Sequence, residues 1–419
     1  MLIIDQQPPD YSPAYNQQPW VIRETDMTDA TITEWRIMIT VLNDGNIAIP
    51  LATSKLRFRY GTGGRVVFDP MRIVEEQLTF DHTQREYTAT PWHTAEGSIM
   101  AYKIVAVSQY FDGTRWIGKG AILDVPMKYV YNGTFDPLAF VDYAQANQFI
   151  DAKCLTDAPT AQTIGSSDTL WLHTLTDTST EPTSMEVKTF NSTGGLLATY
   201  TYTNPFTDWS GAIVIGSTVY PSAPLKRRRV RVLVGTRDLA ALTSPVSFVG
   251  AGSYTVRFKD GGSNYIGTTY TFTISDCAKY QTYRLHWFNR LGGFDAYTFR
   301  LKSQRVNTID RMTFGRQPNR LVTRPVSYGY TKASRGDVTY ATDIEKKLTL
   351  NSDVLTDAEI TWLETLAAAP VVYLENNDGT FTAMAMDNKS YQLKQGVQDG
   401  TVFVQFDLHY ALSDIRQRG

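Results

Sequence analysis

Apolar and polar residues alternate along much of the chain, which is the pattern of β-strands that bury one face. An early example places Trp35, Ile37, Ile39 and Val41 on one side of a strand, and the turn sequence Asn43-Asp44-Gly45 follows it. Because Asp-Gly between apolar runs favours a tight turn, this segment predicts two antiparallel strands.

A second hairpin is predicted where Tyr102–Val107 continues through Phe111-Asp112-Gly113 into Arg115–Ile117. These segments predict an antiparallel β-sandwich over residues 1–145. Its first 20 residues are rich in proline and glutamine, and we expect them to form an extended arm. This arm is predicted to lie on a neighbour or on the domain itself, and the favoured placement is on another subunit or across a domain boundary.

Residues 146–278 carry short strand-like segments separated by Ser, Thr, Gly and Pro. Three of them are Thr169–His173, Met185–Lys188 and Tyr254–Phe258, and the turn Lys259-Asp260-Gly261-Gly262 follows the last. Such spacing favours an immunoglobulin-like or fibronectin-like β-sandwich.

Residues 279–419 mix strands with one clear helix, predicted at about 357–368. Thr356 and Glu359 form a capping box, in which each side chain satisfies a free amide of the first helical turn. Pro370 ends the helix because proline disfavours helical geometry in the residue before it. The predicted fold is therefore mainly β, with two antiparallel sandwiches and then a small α+β domain.

Composition supports a globular chain of about three domains, since it has 419 residues. The formal net charge of −2 provides no global field for nucleic acid or an anionic membrane. No apolar run approaches the ~18 residues of a membrane span, and we expect no signal peptide at the N-terminus. Cys154 and Cys277 are predicted to be reduced, buried thiols, with a bridge between them as the alternative.

No motif with the geometry of a catalytic, metal or cofactor site stands out. The five histidines lack metal-binding spacing, and no nucleophile elbow or phosphate loop is present. We therefore expect a protein that is not an enzyme and needs no cofactor or metal.

Two groups of residues are candidate interface anchors. In the arm, Tyr11, Tyr15 and Trp20 are aromatic residues of the kind enriched at interface centres. In the basic run that starts at Lys226, three alternate arginines share one strand face: Arg227, Arg229 and Arg231. Such a stripe favours an acidic protein partner or an exposed face paired with local carboxylates, ahead of nucleic acid.

Several stretches resemble virion proteins, associated with the tail or baseplate, of tailed phages and prophages of Bacteroidetes bacteria. The stretches are Tyr283–Phe299, Arg311–Arg316, Leu355–Leu374, the opening Gln6–Asn16 and Val67-Phe68-Asp69. The resemblance covers about half of the chain, is weakest in the middle and transfers no site residue. It implies a structural role in a tail.

The sequence thus predicts a structural virion subunit that assembles into a ring or collar. Its expected partners are other copies of itself and neighbouring tail or baseplate proteins, with no nucleic acid and no membrane. It would fold in the host cytoplasm. The alternative is a glycan-binding receptor or adhesion module that contacts a host surface, and a polysaccharide-degrading enzyme is the third hypothesis.

Overall fold

The structure is a computed structural model. It describes residues 1–26, 34–43, 50–58, 63–80, 89–135, 154–176, 181–207, 213–215, 218–220, 229–317, 320–323, 326–330, 332–387, 403–412 and 415–418. Among these residues strands far outnumber helices, so the fold is mainly β as predicted.

The chain divides into two compact units. Unit 1 comprises Met1–Asp276 together with Phe288–Asp295, and unit 2 comprises Cys277–Trp287 together with Ala296–Gly419. The start of unit 2 lies close to the predicted boundary after residue 278. The other predicted boundary, after residue 145, lies outside the described residues.

The strands of unit 1 are β1 (Leu2–Gln6), β2 (Tyr11–Pro13), β3 (Trp20–Glu24), β4 (Trp35–Asn43), β5 (Pro50–Arg57), β6 (Arg65–Phe68), β7 (Trp92–Thr94), β8 (Ile99–Phe111), β9 (Trp116–Asp124), β10 (Lys128–Tyr131), β11 (Ala161–Ile164), β12 (Trp171–Leu175), β13 (Ser184–Phe190), β14 (Leu196–Thr203), β15 (Ile213–Ile215), β16 (Thr218–Tyr220), β17 (Arg229–Leu233), β18 (Ser253–Lys259) and β19 (Tyr265–Ile274). Its described helices are short: α1 (Met71–Glu75), α2 (Thr236–Ala240) and a 3-10 turn at Glu96–Ser98.

Unit 2 contains most of β20 (Tyr283–Phe288) and β21 (Phe294–Phe299), followed by β22 (Gln304–Gly315), β23 (Arg320–Thr323), β24 (Val326–Gly329), β25 (Asp337–Asn351), α3 (Asp357–Ala367), β26 (Val372–Glu375), β27 (Phe381–Met386), β28 (Gln405–Tyr410) and β29 (Ile415–Arg418).

The first half of unit 1 contains the two predicted hairpins. Strand β4 buries Trp35, Ile37, Ile39 and Val41 and pairs antiparallel with β5 and β8, as the alternation predicts. The second hairpin joins β8 to β9, and Gly113 at its turn has φ +97, a conformation that glycine adopts without strain. The turn residues Asp44 and Gly45 lie outside the described residues.

The N-terminal segment belongs to the core of unit 1, so it lies on its own domain, which was one of the predicted placements, and the favoured placement on another subunit was wrong. Strand β1 pairs with β3, β3 pairs with β6, and β2 pairs with β10. Trp20 and Ile22 are buried in the same hydrophobic cluster as Tyr102. This pairing satisfies backbone N–H and C=O groups that a free arm would expose to solvent. The segment is therefore held in place by strand pairing and not only by the stiffness of its prolines.

Two further sheets contain the described strands of the second half of unit 1, and one of them also contains β7 from the first half. Five strands lie in the order β11-β19-β18-β13-β14, and three lie in the order β12-β17-β7. The ring of Trp92 on β7 lies 5.8 Å from that of Phe258 on β18, so the two sheets contact each other through aromatic side chains. The predicted turn after Lys259 is also present, because β18 and β19 pair antiparallel across it.

Unit 2 is built on one large sheet and one substantial described helix. The sheet has eight strands, ordered β21-β20-β26-β27-β28-β25-β22, with β29 paired to β25. Helix α3 follows the capping box predicted at Thr356 and Glu359, in which both reciprocal hydrogen bonds form. The ring of Trp362 on α3 lies 5.2 Å from the ring of Trp287 on β20, so the helix covers the sheet through aromatic packing.

The two cysteines differ in exposure. Both are free, which agrees with the prediction of reduced thiols, and Cys154 is buried. Cys277 is exposed, so the prediction that it is buried was wrong. It lies at the start of unit 2, in a segment outside the described strands.

Candidate interaction surface

The three aromatic residues predicted to anchor the N-terminal arm occupy different environments. Trp20 is buried and its indole N–H donates to the hydroxyl of Tyr102 at 3.3 Å. Tyr11 is also buried and stacks on Tyr129, with ring centroids 4.9 Å apart. Tyr15 is 47% exposed. Of the three, only Tyr15 presents its side chain to solvent, because the other two pack inside unit 1.

The basic run enters the interior of unit 1, which corrects the prediction of an exposed stripe. Arg227 lies outside the described residues. Arg229 is 0% exposed and Arg231 is 2% exposed. All five residues of β17 are buried because the strand lies between β12 and β7 in its sheet.

Arg229 is held inside unit 1 by groups that are distant in sequence. Its guanidinium donates to the backbone carbonyls of Ser98 and Gly292 and lies 5.9 Å from the ring centroid of Tyr131. Hydrogen bonds to buried carbonyls offset part of the desolvation cost of a buried cation. The arginine therefore connects segments of unit 1 that local sequence does not relate.

Gly292, whose carbonyl accepts a hydrogen bond from Arg229, has a backbone conformation that only glycine tolerates at this position. Gly292 has φ +90, and a Cβ atom there would collide with the carbonyl oxygen of Asn132. Asn289 orders the turn by accepting from the amide of Gly293 and donating to the carbonyl of Leu155, both at 2.9 Å. The turn therefore depends on glycine at position 292.

Arg231 lies between two histidines across the three-stranded sheet. It is paired with His93 on β7 at one side and with His173 on β12 at the other, and all three side chains are buried. The guanidinium lies 4.9 Å from the ring centroid of Trp171. Burial, reinforced by Arg229 and Arg231, holds the pKa of His173 well below its ordinary value, so this imidazole stays neutral at pH 7.

Unit 2 also contains a buried ionisable cluster. His286 lies 2.8 Å from a carboxylate oxygen of Glu375, and the same oxygen is 3.5 Å from Arg284. Arg284 additionally donates to the hydroxyl of Thr298 at 2.7 Å. The side chains of His286, Glu375 and Arg284 are each at most 6% exposed. A substrate could not reach them from solvent, so the cluster links β20 to β26 rather than forming an open site.

Metal and membrane sites were sought in the same described part of the chain. No group of three or more His, Cys, Asp or Glu residues there could hold a metal ion. No helix within it has the length and apolarity needed to cross a bilayer.

A group of aromatic and basic side chains lies on β4, β8 and β9. The guanidinium of Arg36 lies 4.0 Å from the ring centroid of Trp116, and Lys119 lies 4.9 Å from that of Trp35. Trp116 is half-buried. A sugar ring would need such an aromatic face for stacking, but a cation already lies against it. This cluster favours cation–π stabilisation of unit 1.

The surface that differs most from these interior sites is a long two-stranded ribbon formed by β22 and β25, which we call the exposed ribbon. All 12 residues of β22 are exposed. Among the described strands only β25 pairs with β22, so β22 is an edge of the large sheet. An edge strand leaves a row of backbone N–H and C=O groups that can pair with another chain.

Apolar side chains lie along this edge. The large apolar residues of β22 and their exposed fractions are Val306 (47%), Ile309 (45%), Met312 (41%) and Phe314 (47%). The ring of Phe314 lies 6.0 Å from that of Tyr340 on β25. The chain between these strands forms a hairpin, β23 with β24, and it exposes Leu321, Val326 and Tyr328. Exposed apolar side chains that cluster on one element mark candidate interaction sites.

The charges on β22 are few and of both signs. Arg305, Asp310 and Arg311 separate the apolar residues. The strand contains no proline, although proline is one of the residues that protect an edge strand from pairing with another chain. Its length and composition therefore suit pairing with a further strand.

Sequence reasoning did not single out the exposed ribbon. Val306, Met312 and Phe314 lie on one side of the strand, but Thr308 and Asp310 separate them there, and Ile309 lies on the other side. The segment therefore lacks the clean apolar alternation by which strands were predicted elsewhere in the chain.

No protein-family model matches the chain, and no curated protein is significantly similar to it.

Proposed function

We propose that this chain is a structural subunit of a bacteriophage virion, in the tail or baseplate, and that it works by assembling with copies of itself and with neighbouring virion proteins. The observation that carries the proposal is the exposed ribbon, because a 12-residue edge strand bearing apolar side chains is suited to join another protein. The virion assignment rests on the resemblance of both ends of the chain to phage virion proteins.

The placement of charge supports a partner that is a protein rather than a nucleic acid. Arg229 and Arg231, the described members of the predicted basic stripe, are buried. Binding to a phosphate backbone needs accessible basic side chains. On β22, two arginines and one aspartate lie among apolar residues, a mixture typical of protein interfaces.

We also propose that residues 146–278 form an immunoglobulin-like or fibronectin-like sandwich. The five-stranded sheet lies within this region and supports the proposal, as does the three-stranded sheet, which takes β12 and β17 from this region and β7 from residues 92–94. The two sheets contact each other through Phe258 and Trp92. A crystal structure tests this proposal by the order and direction of the strands. A single open sheet in this region would contradict it.

The proposed function is tested in particles of the phage or prophage that encodes the chain. Phe314→Asp places a charge on the exposed ribbon without altering a buried contact. Val67→Asp is the matched control, since Val67 is an exposed apolar residue of β6 in unit 1. The amount of chain in density-purified particles is measured by quantitative mass spectrometry.

We expect wild type and Val67→Asp in the particles at equal copy number, and Phe314→Asp reduced by about tenfold, as ~1.4 kcal/mol of lost affinity would produce. Absence of the wild-type chain from purified particles would contradict the virion assignment. Equal incorporation of both variants would contradict the role of the ribbon. Binding of the purified chain to glycans, lost in a Trp116→Ala variant, would favour the receptor alternative.

A further inference from the structure

We propose that the exposed ribbon pairs with a second copy of this chain, through antiparallel addition of β22 to β22 in a register centred on Ile309. This inference rests on the proposed function, and it identifies a second copy of the chain as the partner that binds the exposed ribbon. It follows from three properties of β22: its outer edge, the symmetry of its apolar positions and the placement of its charges.

The first property is the edge of β22 that no other described strand occupies. Strand β25 occupies one side of β22 over the whole length from Gln304 to Gly315. Because hydrogen-bonding groups of a strand alternate between its two sides, about half of the backbone groups of β22 point away from β25. A second β22 strand, related by a two-fold axis perpendicular to the sheet, would satisfy these groups on both chains.

The second property is the symmetry of the apolar residues. In an antiparallel pair, residues directly opposite each other project from the same face of the sheet. Centring the pair on Ile309 places this residue opposite its own copy. It also places Val306 opposite Met312 of the second copy, and Met312 opposite the second Val306. Three of the four large apolar residues on β22 thus meet apolar partners.

The third property is the placement of charge, which selects this register over its neighbours. Centred on Ile309, the pair sets Asp310 opposite Thr308 and Arg311 opposite Asn307, and Arg305 meets Thr313. No two like charges are directly opposite. Like charges directly opposite one another destabilise a strand pair.

The neighbouring registers are unfavourable. Side chains must stay on their own faces, so the nearest alternatives are centred one residue away, on Thr308 or on Asp310. Centring on Thr308 sets Arg305 opposite Arg311 twice. Centring on Asp310 sets this aspartate opposite its own copy. The register centred on Ile309 therefore combines apolar matching with the absence of direct charge repulsion.

The pairing is tested by sedimentation velocity of the full chain over a concentration series up to about 100 μM, well above a micromolar Kd. Ile309→Lys sets two lysines opposite each other at the two-fold axis. Thr308→Lys is the matched control, because it introduces the same residue on the same exposed strand but opposite Asp310 of the second copy. We expect a dimer for wild type and Thr308→Lys, and a Kd raised at least about tenfold for Ile309→Lys.

The register is tested by cysteine cross-linking in a Cys277→Ser background, since Cys277 is exposed and Cys154 is buried. Directly opposite residues have Cα atoms ~4.5–5.5 Å apart, within the reach of a disulfide. We expect Ile309→Cys to form an intermolecular disulfide under mild oxidation. Asn307→Cys lies on the same face and should not, because its own copy is four residues away along the partner strand.

A wild-type chain that stays monomeric throughout the series would overturn the inference. Dimers that respond equally to both lysine variants, or that cross-link at residue 307 instead of 309, would also overturn it. None of these results decides the proposed function, which depends on the incorporation of Phe314→Asp into particles. Loss of that variant from particles, together with a monomeric wild type, would keep the structural role and assign the ribbon to a different protein.

Discussion

Strands β17 and β22 both contain arginines and large apolar residues, yet they lie in opposite environments. Every residue of β17 is buried, including two arginines. Every residue of β22 is exposed, including Val306, Ile309 and Phe314. In unit 1, β17 lies between β12 and β7. In unit 2, β22 has a described neighbour, β25, on one side.

The difference teaches that position within a sheet outweighs composition in deciding burial. The arginines of the central strand β17 lie in the interior of unit 1. There the carbonyls of Ser98 and Gly292 accept hydrogen bonds from Arg229. Strand β22 leaves backbone groups unpaired at its edge, and both of its faces are uncovered by the described chain, so its apolar side chains stay in solvent. Buried cations then stabilise the chain itself, and exposed apolar residues are available for assembly.

The largest expected effect concerns aromatic residues of the N-terminal segment that differ in burial. Trp20→Ala should lower the free energy of unfolding by about 3–5 kcal/mol, because it removes a fully buried indole and leaves a cavity. Tyr15→Ala is the control and should change it by less than about 0.5 kcal/mol. Urea unfolding followed by tryptophan fluorescence and circular dichroism measures both. If both variants changed the free energy of unfolding by less than about 0.5 kcal/mol, the segment would be an arm outside the core of unit 1.

A second prediction compares the arginines of the two strands. Arg229→Met should destabilise the chain by about 1–3 kcal/mol, since the carbonyls of Ser98 and Gly292 lose a buried donor. Arg311→Met removes an exposed arginine from β22 and should leave stability within about 0.5 kcal/mol of wild type. Equal effects in urea unfolding would remove the energetic distinction between β17 and β22.

The smallest effect concerns two ion pairs. Glu186 on β13 accepts from Lys259 at 2.6 Å and from the hydroxyl of Tyr265 at 2.7 Å. Burial alone would raise the pKa of Glu186, but hydrogen bonds from Lys259, Tyr265 and Lys188 lower it from 4.5 to about 2. Glu186→Gln should therefore cost about 1 kcal/mol at pH 7.

The pH dependence gives this prediction its sign. A depressed carboxyl pKa contributes stability that is fully present above the unfolded value and is lost as pH falls towards the folded value. The difference between wild type and Glu186→Gln should shrink between about pH 5 and pH 2. Glu345→Gln is the control, because its pair with Lys347 is 39% exposed on both sides and should contribute almost nothing. A difference that is independent of pH would contradict the ion-pair explanation.

Local features of the fold could be predicted from sequence because their causes are local. The capping box at Thr356 fixed the start of α3, and alternation over Trp35–Val41 identified β4. The burial of Arg229 could not be predicted, since its acceptors lie more than 60 residues away in the chain. The exposure of β22 was missed because its apolar residues lie on both faces of the strand, so the sequence pattern does not show which face another element covers.

The most direct test of the account is hydrogen exchange of β22, measured for the isolated chain and for the chain assembled with its partner. The outward-facing amides between Gln304 and Gly315 should exchange rapidly in the isolated chain and slow markedly on assembly, because a new strand accepts their hydrogen bonds. Amides of β17 lie inside unit 1 and should be slow in both states. Assembly that leaves β22 exchanging as before, with new protection confined to other surfaces, would contradict the central claim that this edge strand joins the chain to its partner.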